Sequence, residues 1–215
     1  MNRILLSLAL MLFIFSSNAQ FQKGNILLGG DLSYSGTTST SPNFSGKTKF
    51  NSGNFNISLG KAIRENAVVG INLNFQPVTD TYNTGIGLYT QQTNNYSIGM
   101  FYRMYKSLGK DFYFFGEGGG GYNGSTTSTK DSTGHEISTG SGNGGHLYIT
   151  PGLAYKISNK FFIELSIPEI FILQYTDANT KMGSVTTETD KTLSAGLNLN
   201  ANILSNVGLG FRLVL

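Results

Sequence analysis

The chain has no cysteine. That excludes disulfides, thiolate metal centres and lipid attachment at an N-terminal cysteine. It has no tryptophan and two histidines, His135 and His146. Two histidines among scattered carboxylates offer no metal-ligand spacing. Charged residues make up 13% of the chain, about half the share found in soluble domains. The basic excess is a formal +3, too small to argue for nucleic acid. Beyond Phe15 no apolar run is long enough for a membrane-spanning helix. What is abundant is glycine, at 28 residues, together with serine, threonine and asparagine.

The first residues have the layout of an export signal. Arg3 supplies a short charged region, Ile4 to Phe15 an apolar run, and Ser16, Ser17, Asn18 and Ala19 the small residues that signal peptidase reads. The run is shorter than the roughly 20 residues a spanning helix needs. Cleavage is expected after Ala19, giving a signal peptide over 1–19 and a single domain over 20–215. An exported chain without cysteine must be held by its fold alone.

The rest of the sequence alternates. Apolar residues recur at every second position in eight segments, at Asn25–Tyr34, Asn54–Lys61, Val68–Gln76, Tyr96–Tyr105, Phe112–Tyr122, Leu147–Ile157, Phe161–Tyr175 and Leu193–Leu215. A period of two places each set on one face of a strand. The final segment is the clearest. Val207, Leu209, Phe211, Leu213 and Leu215 alternate with Gly208, Gly210, Arg212 and Val214 up to the last residue. Connectors alternate too, short ones at 61–66, 106–111 and 156–160, long Ser/Thr/Gly/Asn-rich ones centred near Pro42, Gly85, Gly134 and Glu188. Short turns on one side and long loops on the other predict an eight-stranded antiparallel up-and-down transmembrane β-barrel, with the short turns periplasmic.

Each hairpin arm is about 20 residues, at roughly 3.3 Å per residue. Tilted by about 40°, it rises on the order of twice the apolar band of roughly 25 Å, so the sheet is expected to project well beyond the membrane. A soluble exported β-domain is the alternative. Against it stands the second face of the strands, which is Asn54, Asn56, Ser58 and Gly60 in one segment and Asn72, Asn74 and Gln76 in another. A soluble strand carries lysine and glutamate there, whereas a narrow lumen suits a polar, uncharged face. Pro77, Pro151 and Pro168 fall inside strands and imply bulges or strand ends. A bulge at Pro168 is expected to turn Glu169 away from lipid.

The signal ending SSNAQ, the segment GKAIRENAVVGINLNF, the segment LGKDFYFFGEGGGGY and the terminal GLGFRLVL resemble the small eight-stranded outer-membrane β-barrel proteins of Bacteroidota, in the broad OmpA/OmpX-like barrel superfamily. The likeness spans essentially the whole chain after the signal and implies an architecture rather than an activity. It implies partners as well: outer-membrane lipids, and the barrel-assembly machinery, which reads a C-terminal signal carried here by Leu209, Phe211, Leu213 and Leu215. Such barrels often end in Phe, whereas this chain ends in Leu215.

By parity, Asp31, Glu117 and Glu164 face the lumen, as do Arg103, Lys156 and Arg212. Three acids and three bases at similar depth point to a mutually paired network, since unpaired charge in a narrow lumen is costly. The network is expected to plug the barrel; a gated ion path and paired-carboxylate catalysis are the other readings. Gly116, Gly118 and Gly121 match G-x-G-x-x-G without the strand–turn–helix context that dinucleotide binding needs. Small residues there allow strong curvature or contact with bulky neighbours across the lumen. His135 and His146, with Ser141 nearby, lack the His–Ser motif of lipid-modifying barrels and are taken as solvated. Asp131-Ser132-Thr133 fits only a loose O-glycosylation pattern. Lys61, Arg64, Lys106, Lys110 and Lys160 gather at the periplasmic turns, within reach of anionic lipid headgroups.

The expected protein is therefore a non-enzymatic, multi-pass outer-membrane barrel, monomeric and without cofactor or metal, exported through the general secretory pathway. Its role is structural or interactive, with an extracellular ligand or protein met at the hairpin tips. The alternatives are a narrow channel for ions or small solutes and, behind it, a lipid-modifying outer-membrane enzyme.

Overall fold

The computed structural model describes residues 21–40, 47–83, 87–167, 169–183, 185–197 and 207–215. Among them there is no helix, and ten strands follow one another in the chain: β1 (Ile26–Thr40), β2 (Lys47–Arg64), β3 (Ala67–Asn83), β4 (Leu88–Gly109), β5 (Phe112–Lys130), β6 (Glu136–Ser158), β7 (Phe161–Ser166), β8 (Phe171–Met182), β9 (Val185–Leu197) and β10 (Gly208–Val214). All pairings are antiparallel. β1 to β6 pair in sequence, and β6 pairs with both β7 and β8. β10 then joins β7 to β1 and closes the ring. β7 with β8 forms the seventh stave and β9 with β10 the eighth, so the chain is an eight-stave antiparallel barrel.

Alternation decides which face is which. One cross-strand row runs through Ile57, Leu73, Ile98 and Tyr122, and continues through Gly145, Tyr175 and Leu193. These side chains point outward; Ile57 is 61% exposed and Ile98 53%. A neighbouring row, Leu59–Ile71–Met100, does the same. A continuous exposed apolar belt of this size is foreign to a protein surface that meets water. The facing inward row is Asp31–Asn56–Asn74–Ser97–Asn123.

The turns are tighter than the sequence implies. Strands run on to Arg64, Gly109 and Ser158, leaving turns at Glu65–Asn66, Lys110–Asp111 and Asn159–Lys160. Asn66, Gly109, Lys110 and Asp111 take positive φ, which lets so short a chain reverse. At the other end the strands extend far past the belt. β6 alone has 23 residues, and its upper part pairs with β5 through Ser125–Gly142 and Thr127–Gly140. The fourth tip lies at Met182–Val185 rather than near Glu188.

The prolines act in different ways. Opposite Pro77 the β2–β3 ladder skips two residue pairs without changing register, because proline has no N–H to donate. Pro151 faces the gap between β7 and β8, where its carbonyl accepts from Ile167 N at 2.9 Å. Pro168 itself lies outside the described residues. Residues 167–170 stand opposite only Thr150 and Pro151, since Gly152 pairs with Ser166 and Ile149 with Phe171. The surplus is two residues, not the single residue of a simple bulge, so β8 resumes with the phase of β7.

Of the eighth stave, which the Leu193–Leu215 pattern predicts, the described residues give β9, paired with β8, and β10, paired with β7 and β1; residues 198–206 lie outside the described residues. Pairing of β1 with β10 covers Leu27–Leu32. Above it, among the described residues, Ser33–Thr40 pairs with β2 alone, and no Cα of β1 lies within 8 Å of one of β9.

Candidate functional site: the barrel lumen

The lumen is filled in layers. At the short-turn end the segment before β1 folds into the mouth of the barrel. Phe21 O accepts from Asn66 N at 3.0 Å, and Gly24 N donates to Ala62 O at 2.8 Å. These bonds hold the Phe21 ring inside, with no exposed surface. It stacks on Tyr105 at 4.1 Å and packs against Phe162 at 5.0 Å and Tyr113 at 6.3 Å between ring centroids. Leu27, Val68, Phe101 and Phe115 complete this apolar stopper.

Directly above it sits a cluster of buried charge. Arg103 of β4 and Glu117 of β5 are direct cross-strand partners, with Nε–Oε2 at 2.7 Å. The Arg103 Nη1 reaches Glu164 Oε2 of β7 at 2.6 Å. Glu164 also receives Arg212 Nη2 of β10 at 2.9 Å and the Tyr105 hydroxyl at 2.9 Å. From Arg212 a further bond goes to Ser58 Oγ of β2 at 2.7 Å. On the other side Tyr148 donates to Glu117 at 3.0 Å and accepts from Asn72 of β3 at 2.8 Å. One bonded path thus runs Asn72–Tyr148–Glu117–Arg103–Glu164–Arg212–Ser58 and touches every stave but the first. Two arginines and two glutamates balance, and each buried charge has the hydrogen bonds that make its burial tolerable. Arg103 also lies over the Phe115 ring, 4.3 Å from its centroid.

Of the six lumen charges expected from parity, the structure brings four together: Arg103, Glu117, Glu164 and Arg212. Asp31 faces inward but, among the described residues, makes no ion pair. Asn56 Nδ2 donates to it at 2.7 Å and Asn54 Nδ2 at 3.4 Å, with Asn74 in turn donating to Asn54 at 2.6 Å. Lys156 is not part of the cluster. It pairs across the ladder with the inward Phe162, so the apolar stopper lies between it and the carboxylates. Leu209, Phe211, Leu213 and Leu215 all lie on the outer face at β10, with Leu209 59% exposed.

Sequence reasoning placed Asn72 and Ser58 on the polar inner face without giving them a part in the network, and it missed Phe21, Tyr105 and Tyr148. For Tyr105 and Ser58 the signal was present, since each shares the parity of an inward charge on its own strand or the next. Phe21 lies outside any alternating segment, and nothing in its neighbourhood marks it.

Glycines make the packing possible. A Cβ on Gly119 would sit 2.5 Å from the Tyr148 ring, and one on Gly29 would sit 2.5 Å from the Arg212 guanidinium. The glycine-rich stretch of β5 is therefore a bed for a side chain from the neighbouring strand, and no phosphate cradle.

Above the cluster a cavity of 680 Å³ rises toward the hairpin tips. Its floor is Arg103, Glu117 and Phe115; its walls are amide side chains such as Asn54, Asn74 and Gln174. Glu169, whose direction the sequence left to a bulge, lines this cavity and so faces inward. His146 also lines it, stacked on Tyr148 at 5.8 Å; the expectation of a solvated loop position holds for His135, not for His146. Among the described residues no group of three or more His, Asp or Glu side chains could hold a metal ion.

No protein-family model matches the sequence, and a comparison with curated proteins finds no match. Solved structures of similar shape exist. Neisserial surface protein A (NspA) is 13% identical with a TM-score of 0.46, over 89% of this chain and 97% of that one. A major outer membrane protein from Thermus thermophilus is 13% identical with a TM-score of 0.48, over 88% and 99%. Ail, the attachment invasion locus protein of Yersinia pestis, is 12% identical with a TM-score of 0.39, over 89% and 99%. Likenesses this distant carry nothing about activity. The functional reading rests on the lumen and the belt of this chain.

Proposed function

We propose that the chain is an integral outer-membrane β-barrel protein with a plugged lumen and a structural or surface-interaction role, not an enzyme. The observation that carries this is the combination of faces. Apolar side chains face out in continuous rows, as lipid requires, while the inside is blocked at one end by the Phe21 stack and across its middle by the charge cluster. Short turns then mark the periplasmic end, and the long hairpins project from the cell. The finer statements belong to the same proposal: export behind a cleaved signal over 1–19, assembly through Leu209, Phe211, Leu213 and Leu215, a monomeric state, and kinship with the barrels of Bacteroidota. The surface reading draws on the long hairpins, which run far past the belt; strand edges there would pair with a strand of a partner.

A second reading, a narrow channel, draws on the 680 Å³ polar cavity. Planar-bilayer recording separates the two. The plugged barrel predicts no steady conductance from the intact protein. A steady conductance that changes when Glu117 or Arg212 is neutralised would replace the plug with the channel. A structural role is told from surface interaction by a strain lacking the protein. If a copy with shortened hairpins restores the permeability barrier, the role is structural; if it assembles yet fails to restore function, the hairpins carry it.

A further inference from the structure

Charge is sorted along this barrel. The short-turn end carries Lys61, Arg64 and Lys106 on its wall. Lys23, Lys110, Lys156 and Lys160 lie at or beside the turns, where, among the described residues, the acidic side chains are Glu65 and Asp111. Seven bases against two acids give a net +5 at that end. The long hairpins beyond the belt carry five lysines against six carboxylates, a net −1. Solubility does not require such sorting, because the total charge is small.

Three of the bases are aimed where lipid would be. Lys61 pairs with Ile26 on one side and Val69 on the other, and Val69 pairs with Tyr102. It therefore belongs to an outward row of the belt, with Ile63, also exposed, below it on β2. Lys106 pairs with Phe114, and Phe114 with Leu153, both of them outward. Arg64, at the end of β2, reaches across β3 and donates from Nη2 to the Tyr102 hydroxyl at 2.8 Å. That bond holds the guanidinium against the outer wall, just below the apolar rows. Arginine, two lysines and a tyrosine hydroxyl at the lower margin of an apolar belt offer the donors that a phosphodiester takes. The apolar rows beside them would receive acyl chains.

We propose that the outer wall of β2–β4 at the periplasmic margin is a binding site for the phosphate of an anionic phospholipid in the inner leaflet, with Lys61, Arg64 and Lys106 as its cationic side and Tyr102 orienting Arg64. The proposal rests on the membrane reading above. It goes beyond that reading in naming the lipid charge, the leaflet and the residues. Surface attraction of this kind acts within a Debye length and weakens with salt.

The test uses the full-length protein reconstituted in phosphatidylcholine vesicles doped with spin-labelled phosphatidylglycerol or spin-labelled phosphatidylcholine. The share of motionally restricted label gives the relative association. The expected result is a several-fold preference for phosphatidylglycerol that falls as salt rises. It should drop to near unity in the triple variant Lys61→Gln, Arg64→Gln, Lys106→Gln. A control variant, Lys130→Gln, Lys181→Gln, Lys191→Gln, changes the net charge equally at the hairpin tips and should keep the preference. Equal association of both labels, or a triple variant that behaves as wild type, would overturn the proposal. So would loss of the preference in the tip variant. Failure of the wild-type chain to insert, shown by the absence of any restricted label, would instead strike the membrane reading. Each variant is first checked for the mobility shift of a folded barrel, and Lys61→Gln alone, with a partial loss of preference expected, serves if the triple variant does not assemble.

Discussion

Glu164 is the residue on which the buried charge of the lumen turns. It accepts from Arg103, Arg212 and Tyr105, so neutralising it leaves Arg212 with no carboxylate and Arg103 with Glu117 alone. Removing one partner of a buried pair costs on the order of 3–5 kcal/mol. Glu164→Gln is therefore expected to unfold at distinctly lower denaturant or temperature than wild type, and more so than Glu117→Gln, whose carboxylate serves a single arginine. Equal or negligible losses in the two variants would mean that the cluster does not brace the barrel. A second residue-scale expectation concerns the tip of the β5–β6 hairpin. There Asp131 accepts from the Thr133 hydroxyl at 2.6 Å, from Thr133 N at 2.9 Å and from His135 N at 3.0 Å. The Thr133 hydroxyl, helped by the two amides, holds the Asp131 carboxyl below the usual aspartate range. A carboxyl lowered in the folded state contributes stability that is present above the ordinary aspartate pKa and lost as pH falls through the lowered value. Nuclear magnetic resonance should accordingly show Asp131 titrating below an unstructured aspartate, with the Thr133 and His135 amides following it. An unshifted titration, or amides that ignore it, would remove the turn from the account.

At the scale of elements, the hairpins consist of two parts with different physics. Up to the Tyr122–Gly145 pair the outer face belongs to the apolar rows. Beyond it the β5–β6 hairpin is built mostly of Ser, Thr and Gly, with Ile137 exposed, and the ladder is held by backbone bonds and by hydroxyl pairs to β4 such as Thr93–Thr127 at 3.0 Å. Deleting Ser125–Gly142 and joining Gly124 to Asn143 by a two-residue Asn-Gly turn preserves register. It should leave the barrel able to assemble, as judged by its resistance to detergent at low temperature; loss of that resistance would show that the projecting sheet is part of the folding unit. The alternation that revealed these strands is a local property, which is why all eight staves and the inward parity of Arg103, Glu117, Glu164 and Arg212 were legible from residues alone. The form of the break inside the seventh stave was not. Pro168 marks where it falls, but its size, a two-residue mismatch with β6, depends on the neighbouring strand and leaves no mark on the pattern of β7 or β8. Lys156 shows the same limit: parity placed it inward correctly, but depth along the barrel, set by register and by the stopper below Glu164, kept it from the cluster.

At the scale of the molecule, one arrangement accounts for most of the composition. Glycine is abundant because large lumen side chains lie on small ones, as Tyr148 does on Gly119. Charge is scarce because the belt excludes it and the lumen admits little beyond the balanced cluster: Asp31, held by Asn56 and Asn54, and Glu169 on the cavity wall. Asparagine recurs because amides line the cavity above the cluster. Phe21 belongs to this scale as well. It closes the barrel from outside the strand pattern, and only the assembled ring gives it a place. The most direct measurement is the mobility of the protein from the outer-membrane fraction on a cold detergent gel, unheated and boiled. The account predicts a clear shift between the two samples, as a closed barrel held by its full ring of backbone bonds resists detergent until heated. An unshifted band, with the protein recovered in the soluble fraction, would contradict it and turn the outward rows into the core of a different, water-soluble fold.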